Sequence, residues 1–306
     1  MIVSPKIDEK IAHYNKKIYE LTPVEKHKGI YFKRDDYFMP FQGNNKYDLL
    51  NGGKVRQCLS LFIQKQKEIK NKFNNTVSTA TSIHSPQGTI ISRVAKEFNF
   101  KSVIGIGNTT VESAVKKCLP ITMCAELGSE IVLLSDTQAF NTVLYSKLKQ
   151  LSEEIPMFIV MFGVNFSDCR ESIIDSVAYQ VKNIPDCIDT LVVPVGSGIS
   201  FASVVVGIYT YKKKIKRIIA VQPFGFDRKN TIRNILSKNP KRFFYNFEYY
   251  VSNYAYHKKL DLNVGFDLDN IYESKGFEMM INDNIINEKK ENVCYWIVGN
   301  NNITRH

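Results

Sequence analysis

Asn51-Gly52-Gly53-Lys54-Val55-Arg56 places a single lysine directly behind a glycine pair and just ahead of an apolar run. Paired glycines let the backbone turn sharply and come close to a bound group. The segment that follows, 57–68, carries Leu59, Leu61, Phe62 and Ile63 in the manner of a helix with one buried face. A lysine held at such a turn and partly desolvated loses proton affinity, so it can attack a carbonyl as a Schiff-base nucleophile and then carry a proton. Read alone, an ordinary solvated lysine in a glycine loop accounts for the stretch better. Two later stretches change that reading.

Val192-Val193-Pro194-Val195-Gly196-Ser197-Gly198-Ile199-Ser200 reads as a buried strand running into a glycine-rich turn, and the apolar run 201–209 follows as a helix. Backbone N–H groups at such a turn, backed by a helix N-terminus, form a phosphate cradle. A tight strand-to-helix turn with no ligand fits the same residues. Further on, Leu268-Asp269-Asn270-Ile271-Tyr272-Glu273-Ser274-Lys275-Gly276-Phe277 sets a tyrosine beside a glutamate.

Lysine turn, phosphate cradle and late tyrosine–glutamate pair, in that order and over this length, resemble the fold type II pyridoxal-phosphate enzymes. The likeness is greatest to the branch containing 1-aminocyclopropane-1-carboxylate deaminase and D-cysteine desulfhydrase. Five motifs stand in register with that branch: Lys33-Arg34-Asp35-Asp36, Gly52-Gly53-Lys54-Val55-Arg56, His84-Ser85-Pro86-Gln87, Gly196-Ser197-Gly198 and the stretch 268–275. The resemblance implies a two-lobed α/β fold, each lobe an open twisted, mostly parallel sheet flanked by helices. It also implies pyridoxal phosphate as cofactor, a small amino acid as substrate and a homodimer.

Residue by residue, the resemblance makes Lys54 the lysine that carries the cofactor and then moves the α or β proton. Gly196, Ser197, Gly198, Ile199 and Ser200 would bind the phosphate, mainly through backbone N–H groups. Glu273 would lie beside the pyridine nitrogen, where a carboxylate favours the protonated ring. Tyr272 matches the tyrosine assigned to attack or proton transfer at the substrate. Ser85 matches a catalytic serine near the substrate carboxylate, with Gln87 beside it; His84 is a further candidate facing ring or substrate, although a packed or capping histidine is the more ordinary role. The implied activity is that of a lyase or deaminase that eliminates from a small amino acid and releases ammonia.

Departures from the pattern open two alternatives. Pro86 stands where the family has an asparagine that hydrogen-bonds the cofactor's 3′-oxygen, and proline cannot make that contact. The asparagine before the lysine is absent, Ser274 replaces a glycine, and the closing motif survives only as Ile297-Val298-Gly299-Asn300. One alternative is a degenerate relative that binds a ligand or partner without catalysis. The other keeps the chemistry but applies it to an amino acid conjugated to a nucleotide or nucleic acid, motivated by the formal charge of +11 and the long segment 37–51.

That charge does not by itself favour nucleic acid. Lys212-Lys213-Lys214-Ile215-Lys216-Arg217 and 65–72 read as solvated helix ends and faces, no nucleic-acid reading motif is evident, and the lysine and asparagine content resembles the codon bias of an A/T-rich genome. At 306 residues and 44% hydrophobic content the chain can bury a large core in two lobes. The N-terminus carries no apolar h-region and the longest apolar run, 199–209, is too short for a bilayer, so a cytoplasmic protein is expected. Its six cysteines are scattered without a C-x-x-C pair, which argues for reduced thiols and no metal site.

Taken in order, helices are expected at 7–20, 57–68, 90–98, 111–118, 137–151, 169–182, 201–209 and 228–236. Strands are expected at 30–34, 77–81, 102–106, 130–134, 157–161, 190–195, 217–222 and 293–298. Such alternation implies right-handed crossovers and parallel sheets. Segments 1–74 and 164–306 would form a large cofactor-binding lobe and 75–163 a small one, the polar stretch 71–75 marking a crossing between them. Gly105-Ile106-Gly107 begins like a dinucleotide fingerprint but lacks the third glycine. The aromatic stretch 241–251 suits core or dimer contact better than base stacking.

Overall fold

The computed structural model describes residues 5–43, 46–137, 139–225, 227–239, 245–252, 254–255, 258–287 and 290–299. The chain begins with α1 (Pro5–Lys17), β1 (Val24–His27), β2 (Ile30–Arg34), α2 (Gly53–Lys72), β3 (Thr76–Ala80), α3 (Gln87–Glu97) and β4 (Lys101–Gly107). It continues through α4 (Val111–Lys117), α5 (Leu119–Glu126), β5 (Glu130–Ser135), α6 (Asn141–Glu154), β6 (Phe158–Ile159) and α7 (Arg170–Ala178). The last third contains β7 (Thr190–Pro194), α8 (Ile199–Thr210), β8 (Arg217–Gln222), α9 (Lys229–Ser237), β9 (Glu248–Val251), α10 (Glu273–Asn282) and β10 (Val293–Ile297).

These elements form two compact units, one of Met1–Lys16, Gly43–Asp48 and Gln57–Arg170, the other of Lys17–Gln42, Leu49–Arg56 and Glu171–His306. The first holds a four-stranded sheet in the order β5-β4-β3-β6, with every pairing parallel. Successive side chains of a strand point to opposite faces, and β4 uses both. Val103 packs with Leu144, Tyr145 and Leu148 of α6, while Ile104 and Ile106 pack with Ala114, Ile121 and Cys124 of α4 and α5. A sheet covered on both faces buries successive residues without alternation, and β3 is buried at every position although Thr76, Ser78 and Thr79 are polar.

This unit is larger than the expected 75–163. Phe62 of α2 meets Phe98 and Phe100 with ring centroids 6.1 and 5.9 Å apart, and Tyr14 of α1 meets Phe98 at 6.1 Å. Those aromatic contacts draw α1 and most of α2 into the four-stranded unit. The stretch 71–75 is therefore no crossing between lobes: Asn74 and Asn75, with φ of 50° and 60°, turn the end of α2 into β3 inside one unit. The chain passes between units within α2, after Arg56.

The second unit holds a six-stranded sheet in the order β1-β2-β10-β7-β8-β9, parallel throughout except for β1 at one edge. The late strand β10 lies between β2 and β7 and is buried at all five positions. Phe32, Val192, Ile219, Val221, Met280 and Tyr295 build the core on one face. Burying each such side chain stabilises the fold by roughly 1.5–3 kcal/mol before conformational entropy is counted. The aromatic stretch supplies β9 and core contacts, with Phe247 5.2 Å from Phe201 and Tyr245 5.2 Å from Tyr209 across α8; residues 241–244 lie outside the described residues. No helix among the described residues is long and apolar enough to cross a membrane, and no cluster of His, Cys, Asp or Glu among them is arranged to hold a metal ion.

Candidate active site at the strand ends of the six-stranded unit

In an open parallel sheet, ligands bind beyond the carboxyl ends of the strands. There Gly52 and Gly53 are drawn against the chain just beyond β10. Gly52 has φ 87° and lies so close to the Val298 carbonyl and Gly299 that no side chain fits. Its N–H donates to the Phe38 carbonyl (3.1 Å), and the Gly53 N–H donates to the Val298 carbonyl (2.8 Å). Lys54 is thus the second residue of α2 and half-buried, not a residue of the loop ahead of it.

The Lys33-Arg34-Asp35-Asp36 motif holds this turn from below. Asp35 Oδ1 accepts from the Arg56 guanidinium at 2.9 Å, and Arg56, fully buried, also donates to the Ile18 carbonyl at 2.5 Å and lies 3.7 Å over the Phe38 ring. Removing one member of such a buried pair costs about 3–5 kcal/mol, since the other charge is left uncompensated. Arg34 binds Asp36 through two bonds of 3.0 and 2.8 Å. Lys33 donates to the Thr22 carbonyl (2.6 Å) and Asn183 Oδ1 (2.7 Å), and burial pushes it down to about 7.

The glycine-rich turn closes the other side. Gly198, with φ 95°, precedes α8, and no side chain caps that helix. The first N–H groups of a helix have no intrahelical acceptor, so Ile199, Ser200 and Phe201 present donors where the positive end of the helix lies. Ser200 Oγ stands 3.8 Å from where a Cβ on Gly53 would be, which brings the start of α8 to the start of α2. A Cβ on Gly196 would lie 3.3 Å from the Tyr272 ring, and that ring packs edge-to-face with Phe224 at 5.1 Å.

Tyr272 and Glu273 are set by Asp269, whose Oδ1 accepts the N–H of Ile271 (3.0 Å) and of Tyr272 (2.8 Å). Glu273 opens α10 and is buried, its backbone carbonyl taking the Tyr295 hydroxyl at 2.8 Å. Its Oε1 accepts the Gly299 N–H at 3.3 Å. Burial, and after it the neighbouring Asp269, pushes the Glu273 carboxyl well above the usual carboxylate range. Val298 and Gly299 are consecutive, so one bond length of backbone ties the lysine turn to Glu273.

Ser85, Gln87 and His84 belong to the four-stranded unit. Ser85 is buried and its Oγ accepts the Gln87 N–H at 3.3 Å, capping the turn at Pro86 from which α3 starts. The Gln87 carboxamide is engaged inside that unit: its Nε2 donates to Thr79 Oγ1 (3.0 Å), the Tyr145 hydroxyl (3.1 Å) and the Met161 carbonyl (3.3 Å), and its Oε1 accepts the Gly163 N–H (2.8 Å). His84 is exposed. Sequence reasoning read Val298 only as part of the closing motif and missed Tyr295 and Phe224, which nothing local marks because each matters only through a partner distant in the chain.

The residues present fit pyridoxal phosphate. The uncapped α8 suits a phosphate, Asp35 Oδ2 is buried without a partner 3.0 Å from the Cβ position on Gly53, and a buried carboxyl at Glu273 suits a basic ring nitrogen.

The architecture is that of solved fold type II pyridoxal-phosphate-dependent enzymes, which the chain resembles in fold. Among solved structures it is similar to a homologue of 1-aminocyclopropane-1-carboxylate deaminase, with a TM-score of 0.73, 18% identity, and coverage of 97% of this chain and 95% of the other. Maize serine racemase gives 0.65, 14%, 96% and 94%, and processed threonine deaminase isoform 2 from Solanum lycopersicum gives 0.63, 15%, 98% and 90%. In sequence the chain is similar to the O-seryl-dTMP PLP-dependent decarboxylase of Salmonella phage ViI, 25% identical over 240 residues, which are 73% of this chain. The match spans 55% of that relative's length. No protein-family model matches.

Proposed function

We infer that the protein is a pyridoxal-phosphate-dependent enzyme that decarboxylates an amino acid joined to a thymine nucleotide. The observation that supports the cofactor is the meeting of the Lys54 turn, the uncapped α8 and Glu273 around Val298 and Gly299 within one unit. The substrate class is supported by the phage relative, whose name specifies O-seryl-dTMP, and by the net charge of +11, which suits a polyanionic carrier. It takes up the nucleotide-linked alternative.

When bound, pyridoxal phosphate supplies an aldehyde that joins the substrate amine and a ring that draws electrons from the α-carbon. The backbone N–H groups of Gly196, Ser197, Gly198, Ile199 and Ser200 hold its phosphate. Lys54 Nζ would hold it and would donate a proton at the substrate α-carbon where carbon dioxide leaves. Glu273 Oε holds a proton toward the ring nitrogen. Tyr272, backed by Phe224, walls the substrate side of the glycine turn and restricts water there.

A second reading, β-elimination from a free small amino acid with release of ammonia, is favoured by Tyr272 standing directly over Gly196 beside Glu273. Two measurements separate these readings. Purified protein with added pyridoxal phosphate should show a visible absorption band that disappears in a Lys54→Ala variant. Supplied with O-seryl-dTMP, free or within DNA, it should release one carbon dioxide and leave an aminoethyl nucleotide. Ammonia and a 2-oxo acid from a free amino acid, with the nucleotide untouched, would establish the second reading instead; no band in either protein would sink both.

A further inference from the structure

We propose that Phe224 and Tyr272 form a subsite for the planar base of a nucleotide-linked substrate, with Phe224 as its specificity-determining residue. The inference deepens the proposed function and rests on it for what the substrate carries. Phe224 belongs to the segment that leaves β8 after Gln222, so it stands at the carboxyl end of a parallel strand, where ligands of such sheets bind. Its ring centroid lies 5.1 Å from that of Tyr272, with the two planes at 69°. The Tyr272 ring in turn lies 3.3 Å from the Cβ position on Gly196, so the aromatic pair borders the first residue of the glycine-rich turn.

Two rings at that inclination make a corner. A flat heteroaromatic ring laid on the face of one meets the other edge-on, and both arrangements are attractive, because ring faces are electron-rich and ring edges electron-poor. Phe224 and Tyr272 are each half-buried, so part of each ring is accessible. The next residue, Gly225, is exposed, and a Cβ there would meet nothing within 4 Å, which leaves room beside Phe224. From the protein side, Lys275 Nζ stands 5.9 Å over the Phe224 ring while it donates to the Ala255 carbonyl at 2.9 Å. Phe224 is thus held from two directions, and a ring already fixed loses little freedom when a ligand stacks on it.

A free small amino acid has no planar ring to place in this corner, whereas a nucleotide has one. Every base has a π-face, so stacking is tolerant of base identity. The corner therefore selects a base-bearing substrate over a base-free one, and leaves the choice among bases to other groups.

The test is calorimetric titration of the full chain, saturated with pyridoxal phosphate so that its phosphate turn is filled, with dTMP and with 2-deoxyribose 5-phosphate. Phe224→Leu keeps an apolar side chain against Tyr272 but removes the plane, and Phe224→Tyr keeps the plane. The affinity for dTMP should fall about tenfold or more in Phe224→Leu and stay within about threefold of wild type in Phe224→Tyr. The sugar phosphate should bind all three proteins alike. No binding of dTMP to the wild-type protein, equal affinity for dTMP in wild type and Phe224→Leu, or an equal loss for the sugar phosphate overturns the proposal.

Should Phe224→Leu fail to fold, the wild-type protein decides: dTMP should bind about tenfold or more tightly than the sugar phosphate, and equal affinities overturn the subsite. Kinetics give a second reading. With O-seryl-dTMP, Phe224→Leu should raise KM about tenfold while kcat changes by less than about threefold; a fall in kcat with KM unmoved makes Phe224 a packing residue for Tyr272 and overturns the assignment. Binding of dTMP that depends on Phe224, with no carbon dioxide released from O-seryl-dTMP, sinks the proposed function and leaves the subsite standing. Carbon dioxide released by a protein whose affinity for dTMP is indifferent to Phe224 does the opposite.

Discussion

The chain uses a Gly-x-Gly stretch at or just after the end of a parallel strand twice, and the two do different things. Gly105-Ile106-Gly107 ends β4, where a Cβ on Gly105 would run into Leu134 and one on Gly107 would come within 2.9 Å of Leu144. The helix beyond it, α4, is capped by its own Thr110, whose Oγ1 accepts the Ser113 N–H at 3.2 Å. Gly196-Ser197-Gly198 follows β7, with the Tyr272 ring over its first glycine and an uncapped helix behind. In one turn the glycines admit leucines and the donors are satisfied internally. In the other no side chain caps the helix. The motif reports a need for space near the backbone; its surroundings decide whether a side chain or a ligand takes that space.

The largest effect that bears on this contrast is expected from Lys54→Ala. Turnover should fall by on the order of 10²–10⁴-fold or more, measured as product per enzyme with pyridoxal phosphate in excess, while the melting temperature changes little because Lys54 is only half-buried. A variant of undiminished activity would remove the catalytic half of the comparison. Next come the turns themselves. Gly198→Ala forces a left-handed residue and crowds Ile232, 2.9 Å from the added carbon, so it should cost about 1–2 kcal/mol and weaken cofactor binding several-fold. Gly105→Ala should cost about 1–3 kcal/mol by overpacking and leave cofactor affinity unchanged. Titration of both variants with pyridoxal phosphate reads the difference, and equal losses of affinity would break it.

Both units bury ionisable groups: the six-stranded unit buries Lys33, Asp35, Arg56, Asp269 and Glu273, and the other the Asp48–Arg93 pair, although its network around Gln87 is neutral. Lys33, pushed down to about 7, is neutral when folded at a pH where the unfolded chain still binds its proton. A depressed value contributes stability that is present above the unfolded value, about 10.4, and lost as pH falls toward 7. Denaturant unfolding should show wild-type stability rising by on the order of 1–2 kcal/mol across that window, and Lys33→Met should flatten the rise; an unchanged slope would place the titration elsewhere. The smallest effect is Thr110→Ala, expected to cost about 1 kcal/mol through the lost cap with no change in cofactor affinity.

Much of this was legible in advance. β2 and β8 fall on the expected 30–34 and 217–222, and β7 and β10 differ by one residue at one end, since runs of apolar and β-branched residues bounded by polar ones mark buried strands. Two strands and two helices escaped notice for identifiable reasons. β1, Val-Glu-Lys-His, has no apolar run and exists because it pairs with β2 at an edge. β9 is aromatic on both faces and takes its place from β8 and α8. α5 carries a proline near its start, a position where helices accept it. α10 contains Gly276, a poor helix former, but the Tyr295 hydroxyl lies 2.6 Å from where a Cβ would be, so only glycine lets the helix approach β10.

By itself the sequence determined that a lysine follows a glycine pair at the head of a helix, that a glycine-rich turn follows a buried strand, that strands and helices alternate, and that Tyr272 and Glu273 stand together. All of these depend on neighbours within a few residues, where backbone sterics and side-chain period act directly. Only the tertiary structure decided where the units divide, what surrounds each Gly-x-Gly stretch, and that Val298 and Gly299 join the lysine turn to Glu273. Burial and charge act through space, and the residues that bury Glu273 or crowd Gly52 come from segments far apart in the chain, so no local pattern could announce them.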